Sequence, residues 1–121
     1  MSQPLHHSKH PCVLPACPVL TTLTVIGGKW KPAILYELRG QTICRFNTLR
    51  KRIAPITQKM LTQQLRELEA DGIVHRQVYA EVPPRVEYSL TPYGKSLTPL
   101  LNEMASWGLL HQKAVQEIST T

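Results

Sequence analysis

The stretch TQKMLTQQLRELEADG, Thr57–Gly72, decides the fold. Leu61, Leu65 and Leu68 stand at i, i+4 and i+7, one face of a helix. Thr57 brings a hydroxyl that can accept from the free backbone N–H groups of a helix start. Gly72 suits the end. The opposite face carries Gln58, Lys59, Thr62, Gln63 and Arg66. No acid occurs over residues 57–66, and Glu67, Glu69 and Asp71 come only in the last turns. One side of this segment is built to be buried, and the other is uncharged-polar or cationic.

Upstream, Ala54-Pro55-Ile56 forms a break, and before it Phe46, Leu49 and Ile53 sit at i, i+3, i+7. Arg50, Lys51 and Arg52 point elsewhere, which predicts a short helix with a basic outer side. Thr42-Ile43-Cys44 is β-prone and predicts one small strand. Trp30, Ile34 and Leu38, with Ala33 and Leu35, mark a helix that tolerates Pro32 in its first turn and closes at Gly40. Val19, Leu20, Leu23 and Ile26 mark another, between Pro18 and Gly27-Gly28. Residues 1–16 are rich in His, Pro, Ser and Gln without a period, and are expected to be a flexible tail.

Downstream, Val74–Ala80 and Arg85–Leu90 read as two strands, the second alternating Val86, Tyr88, Leu90 with Glu87 and Ser89. Glu81-Val82-Pro83-Pro84 makes the tip of their hairpin. Thr91-Pro92 opens a last helix carrying Tyr93, Leu97, Leu100, Met104, Trp107 and His111, a mean spacing of 3.5. Such a seam suits a partner helix or a stripe packed on its own domain. Pro99 should kink this helix by removing a backbone donor.

At 121 residues the chain is one domain. No apolar run approaches the ~20 residues of a membrane span, and no basic region followed by an apolar one marks a secretory signal. Three scattered cysteines give no disulfide framework, so a reducing, cytoplasmic setting is expected. The net charge is +6, unevenly placed. Residues 29–66 hold nine Lys and Arg against Glu37 alone, while residues 67–121 hold four against seven acids. A positive middle beside a mildly acidic C-terminal half suggests a face turned toward a polyanion.

The element order is helix, helix, small strand, basic helix, polar-faced helix, two-strand hairpin, long helix. This predicts a mainly α fold with a small antiparallel β-hairpin, a winged helix-turn-helix. Gln, Thr, Arg and Lys supply the donors and acceptors that major-groove base edges require. The basic, polar end of Thr57–Gly72 is its N-terminal end, which would enter a groove first and adds a partial positive dipole. Double-stranded DNA is the expected partner. A winged helix serving only as a protein-interaction scaffold is the alternative, since fold does not fix function.

At this point the residues resemble a family. Gly27-Gly28-Lys29-Trp30, Arg45-Phe46, Ile56–Thr62 and Leu65–Gly72 are similar to the HxlR-type winged-helix transcriptional regulators. Val82–Thr91 matches that family's wing and the start of its last helix, and Cys17-Pro18 its N-terminal motif. The resemblance spans about residues 17–108, with small departures at Cys44 and Ala54-Pro55. It implies a homodimer joined by terminal helices, with residues 17–118 as the DNA-binding domain, on a partly palindromic operator.

The resemblance and the physical argument together give each side chain a role. Thr57, Gln58, Lys59, Thr62, Gln63 and Arg66 form the groove-facing set, with Lys59 and Arg66 open to a split between phosphate and base contacts. Arg45, Arg50 and Arg52 are expected on phosphates. Arg85, near the wing tip, is placed to reach the adjacent minor groove or to be merely solvated. Trp30, Phe46, Leu61, Leu65 and Leu68 are assigned to the core. Cys17 falls at a helix N-cap, where the dipole and free N–H groups favour a thiolate. The family implies thiol sensing of oxidants or small electrophiles in some members, with this same cysteine as the reactive one; Cys12, five residues away, could act as a resolving thiol, in cis or across a dimer. An inert cysteine at a helix start is the other reading. Cys44 is expected to be a small buried hydrophobe. His6, His7, His10 and Cys12 match no closed zinc spacing. No nucleophile–base pair or phosphate loop appears, so neither an enzyme, a metal nor a cofactor is expected.

Overall fold

The computed structural model describes residues 16–40 and 42–120. Its elements are α1 (Pro18–Ile26), α2 (Lys31–Arg39), β1 (Cys44–Arg45), α3 (Phe46–Arg52), α4 (Gln58–Ala70), β2 (Val74–Tyr79), β3 (Arg85–Leu90), α5 (Pro92–Lys95) and α6 (Thr98–Thr120). The expected tail, residues 1–16, lies outside this description except for its last residue.

The core joins Ile34, Leu35 and Leu38 of α2, Leu49 of α3 and Leu61, Leu65 and Leu68 of α4, all buried. Trp30 and Phe46 pack against it half-buried. Each large aliphatic removed from water contributes about 1.5–3 kcal/mol, so the leucine stripe of α4 is what holds that helix to the body. Gly72 turns the chain out of α4 with φ +75°, a left-handed conformation that a Cβ disfavours.

The sheet is antiparallel, in the order β1-β3-β2. Cys44 pairs with Tyr88, and Val74, Val78 and Tyr79 pair with Leu90, Val86 and Arg85. Tyr88 and Leu90 are buried and Val86 packs on the core, as the alternation in β3 requires. The small strand is Cys44–Arg45, shifted toward α3 from the expected Thr42–Cys44.

The C-terminal segment differs from expectation. It is two helices, α5 and α6, with a turn at Ser96-Leu97. Pro99 therefore introduces no kink: it lies in the first turn of α6, where its missing N–H is no loss. The Thr91 hydroxyl accepts from Gly94 N at 2.8 Å and donates to Gly72 O at 2.6 Å. Gly94 packs so closely on β2's approach that a Cβ would strike the Ile73 carbonyl. These contacts seat α5 against the α4–β2 turn and force a new start for α6.

The seam Leu100, Met104, Trp107 is exposed, and Leu101 is the α6 residue buried in the core. Trp107 stacks on His111, with ring centroids 5.0 Å apart. Val19 and Leu23 of α1 and Leu109, Leu110 and Ile118 of α6 are exposed as well. Among the described residues no helix is long and apolar enough to cross a membrane.

Candidate nucleic-acid interface

The Thr57 hydroxyl accepts from Met60 N at 3.1 Å, closing the first turn of α4 as its N-cap. With the leucines turned inward, Gln58, Lys59, Gln63 and Arg66 are exposed and Thr62 is half-exposed on the outer side. The Thr62 hydroxyl donates to Gln58 O at 2.8 Å. Its single proton is thereby used, leaving oxygen lone pairs and a methyl group outward. The α4 face thus offers amides, cations and a methyl, the groups that base edges and phosphates accept.

Arg45, at the N-cap of α3, and Arg50 in its last turn are exposed. The Arg50-Lys51-Arg52 run also complements the negative end of that helix. Arg52 lies 3.4 Å from Glu37 in an exposed pair, which contributes little. Between α3, α4 and the hairpin runs an open cleft of about 680 Å³, lined by Arg45, Asn47, Thr48, Gln58, Thr62 and Arg85 among others.

Arg85 is tied back. Its Nη2 lies 3.2 Å from Glu81, its Nε 3.4 Å from Glu87 without hydrogen-bond geometry, and its guanidinium sits 4.0 Å over the Tyr79 ring. The hairpin tip beyond it is Val82, fully exposed, and two prolines.

Sequence reasoning missed the pair formed by Lys31 of α2 and Glu67 of α4, at 2.6 Å. The two are 36 residues apart, so no local period reveals them. Hydrogen bonds from Lys31 and then Gln63 hold the Glu67 carboxyl below its ordinary range. Burial pushes the Cys44 thiol up, against the opposing Arg52 charge. Burial likewise raises Tyr88.

Cys17 occupies the N-cap of α1 without a side-chain cap bond. It is fully buried and disulfide-bonded. Cys12 lies outside the described residues, as do His6, His7 and His10. Among the described residues no group of three His, Cys, Asp or Glu is placed to hold a metal.

The fold and the sequence have known relatives. A family model, the HxlR-like helix-turn-helix, matches residues 25–116. The uncharacterized HTH-type transcriptional regulator YdeP of Bacillus subtilis (strain 168) is 52% identical over 103 residues, 84% of this chain and 79% of that protein. The solved structure of the redox regulator HypR in its reduced form superposes with a TM-score of 0.77 at 52% identity, covering 83% of this chain and 98% of that one. Its oxidized form gives 0.71 at 58% identity, covering 76% and 94%. These relatives are regulators of transcription and not enzymes. The chain therefore belongs to the HxlR-like family of helix-turn-helix transcriptional regulators.

Proposed function

We propose that residues 17–118 form a homodimeric, sequence-specific DNA-binding unit that seats α4 in the major groove of a partly palindromic operator. One observation carries this reading: the outer face of α4 from Thr57 to Arg66 is polar or cationic and open to solvent, while its leucines are buried. In this reading Gln58, Lys59, Thr62, Gln63 and Arg66 meet the groove around the capped helix start at Thr57. Arg45, Arg50 and Arg52 meet phosphates. Arg85 contacts DNA beside the wing only by exchanging Glu81 and Glu87 for phosphate oxygens. The exposed apolar residues of α1 and α6 supply the surface for a second copy.

Titrating promoter fragments across salt concentrations tests the reading. Affinity should fall with a log–log slope of about −0.9 per neutralised phosphate. Charge reversal at Lys59 and Arg66 should abolish binding, and a variant that kept full regulatory function would favour the interaction scaffold instead.

HypR is a redox regulator, and Cys17 stands at the N-cap of α1 as a buried disulfide sulfur. On this basis we propose a thiol switch at Cys17, with Cys12 as candidate second thiol. Two thiols lose two protons and two electrons to an oxidant such as diamide, which is reduced to its hydrazine, and the S–S bond formed alters DNA affinity. Operator binding measured after dithiothreitol and after diamide should differ, and Cys17→Ser should abolish that difference. An unchanged response in the variant defeats the switch.

A further inference from the structure

Lys31 opens α2 yet is only 9% exposed, the buried charged residue of the described chain. A lysine withdrawn from water needs a partner, and its Nζ has one in Glu67 Oε1 across the α2–α4 contact. The other carboxylate oxygen, Oε2, accepts from Gln63 Nε2 at 3.4 Å, one turn back along α4. An ionised carboxylate can only accept. Gln63 must therefore turn its NH2 edge, not its carbonyl, toward Glu67. An exposed glutamine otherwise flips its amide and samples many rotamers. Here the anchor runs inward, from Gln63 through Glu67 to a buried ammonium on another helix.

We propose that Lys31 and Glu67 are positioning residues that hold the Gln63 amide in one orientation, making it a reader of adenine. When the N–H trans to the carbonyl is the one that Glu67 engages, Oε1 and the remaining N–H are left on one edge of the amide, free to meet a base together. That acceptor–donor pair complements the N6 donor and N7 acceptor of adenine in the major groove. The inference rests on the placement of α4 in that groove. The Lys31 charge has a second effect: it offsets the Glu67 carboxylate, which would otherwise repel phosphates from the groove-facing side.

The test is base preference, which a plain tie between helices would not move. Duplexes selected from a randomised pool by the full chain are compared with those selected by Gln63→Ala, Glu67→Gln and Lys31→Met, with folding checked by circular dichroism. The wild-type chain should demand adenine at one position of each half of the operator, by roughly tenfold over other bases. Gln63→Ala should lose that demand alone. Glu67→Gln, whose amide can meet Gln63 with either edge, should relax the same position severalfold and leave the rest of the preference intact. Lys31→Met should do likewise, and if it fails to fold, the nearly isosteric surface change Glu67→Gln still decides. Adenine demand that survives Glu67→Gln would overturn the inference, as would loss of a cytosine preference instead, which would make Glu67 itself the reader. Absence of any selected sequence with the wild-type chain would instead remove the groove reading on which the inference stands.

Discussion

Thr57 and Glu67 stand at opposite ends of the α4 working face, and each serves the helix through hydrogen bonds that its side chain accepts. The Thr57 hydroxyl satisfies Met60 N, a donor that the helix cannot satisfy itself. Thr57→Ala should lower stability by about 1 kcal/mol, read as a lower urea midpoint with unchanged slope. Glu67 gives a pH signature. Its folded-state pKa lies below the ordinary value of 4.5 because Lys31 and then Gln63 donate to the ionised form. Its contribution is thus complete above the unfolded-state value and is lost as pH falls through the lowered one. Urea midpoints of the wild-type chain and Glu67→Gln should differ at pH 7 and converge on acidification below pH 4.5. The cap was legible because Thr57 precedes a clean leucine period. The Lys31–Glu67 pair was not, because its partners meet only after α2 packs on α4.

At the scale of elements, α4 was readable from end to end. Its leucine spacing, its cap and Gly72 all specify the same helix, and the buried residues are the three leucines named from the sequence. The division of the last helix was not readable. The 3.5 spacing runs through Ser96-Leu97, where the chain keeps turning with Leu97 N bonded to Gly94 O, so the pattern shows no gap. Contacts distant in sequence, from Thr91 and Gly94 to Gly72 and Ile73, make the break. They also change which leucine is buried, Leu101 and not Leu100. Arg85 was read as a probe from its place near the tip. The register that sets it opposite Tyr79, and so over that ring, belongs to the paired strands. For α4 the expected behaviour is specific: Lys59→Ala should weaken binding to all duplexes alike and make the salt slope shallower by about 0.9 if Lys59 meets one phosphate. Filter-binding or anisotropy titrations at several salt concentrations check this.

Across the whole molecule, apolar surface is distributed unequally. Trp107 is 63% exposed and Leu110 64%, beside Met104, Leu109 and Ile118 on the same long helix. Exposed apolar side chains in this number on one helix are what an association surface uses. The seam is divided, with Leu97 packed on the core and Leu100, Met104 and Trp107 exposed, which is what the proposed homodimer requires of its outer part. Trp107→Glu should shift the chain to a monomer in analytical ultracentrifugation. It should also weaken operator binding by more than tenfold while non-specific binding per chain changes little, since two linked recognition helices bind more tightly than one.

The joint where α5 meets the α4–β2 turn has a consequence for promoters. Gly94 seated on the Ile73 carbonyl and Thr91 bonded to Gly72 leave little play between α4 and the long C-terminal helix. Two copies joined through those long helices would hold their reading helices at a set separation and phase along the duplex. Base changes in the untouched centre of the operator should then be tolerated. Inserting a single base pair there, which rotates one half about the duplex axis by roughly 35° at 10–10.5 base pairs per turn, should cost far more affinity.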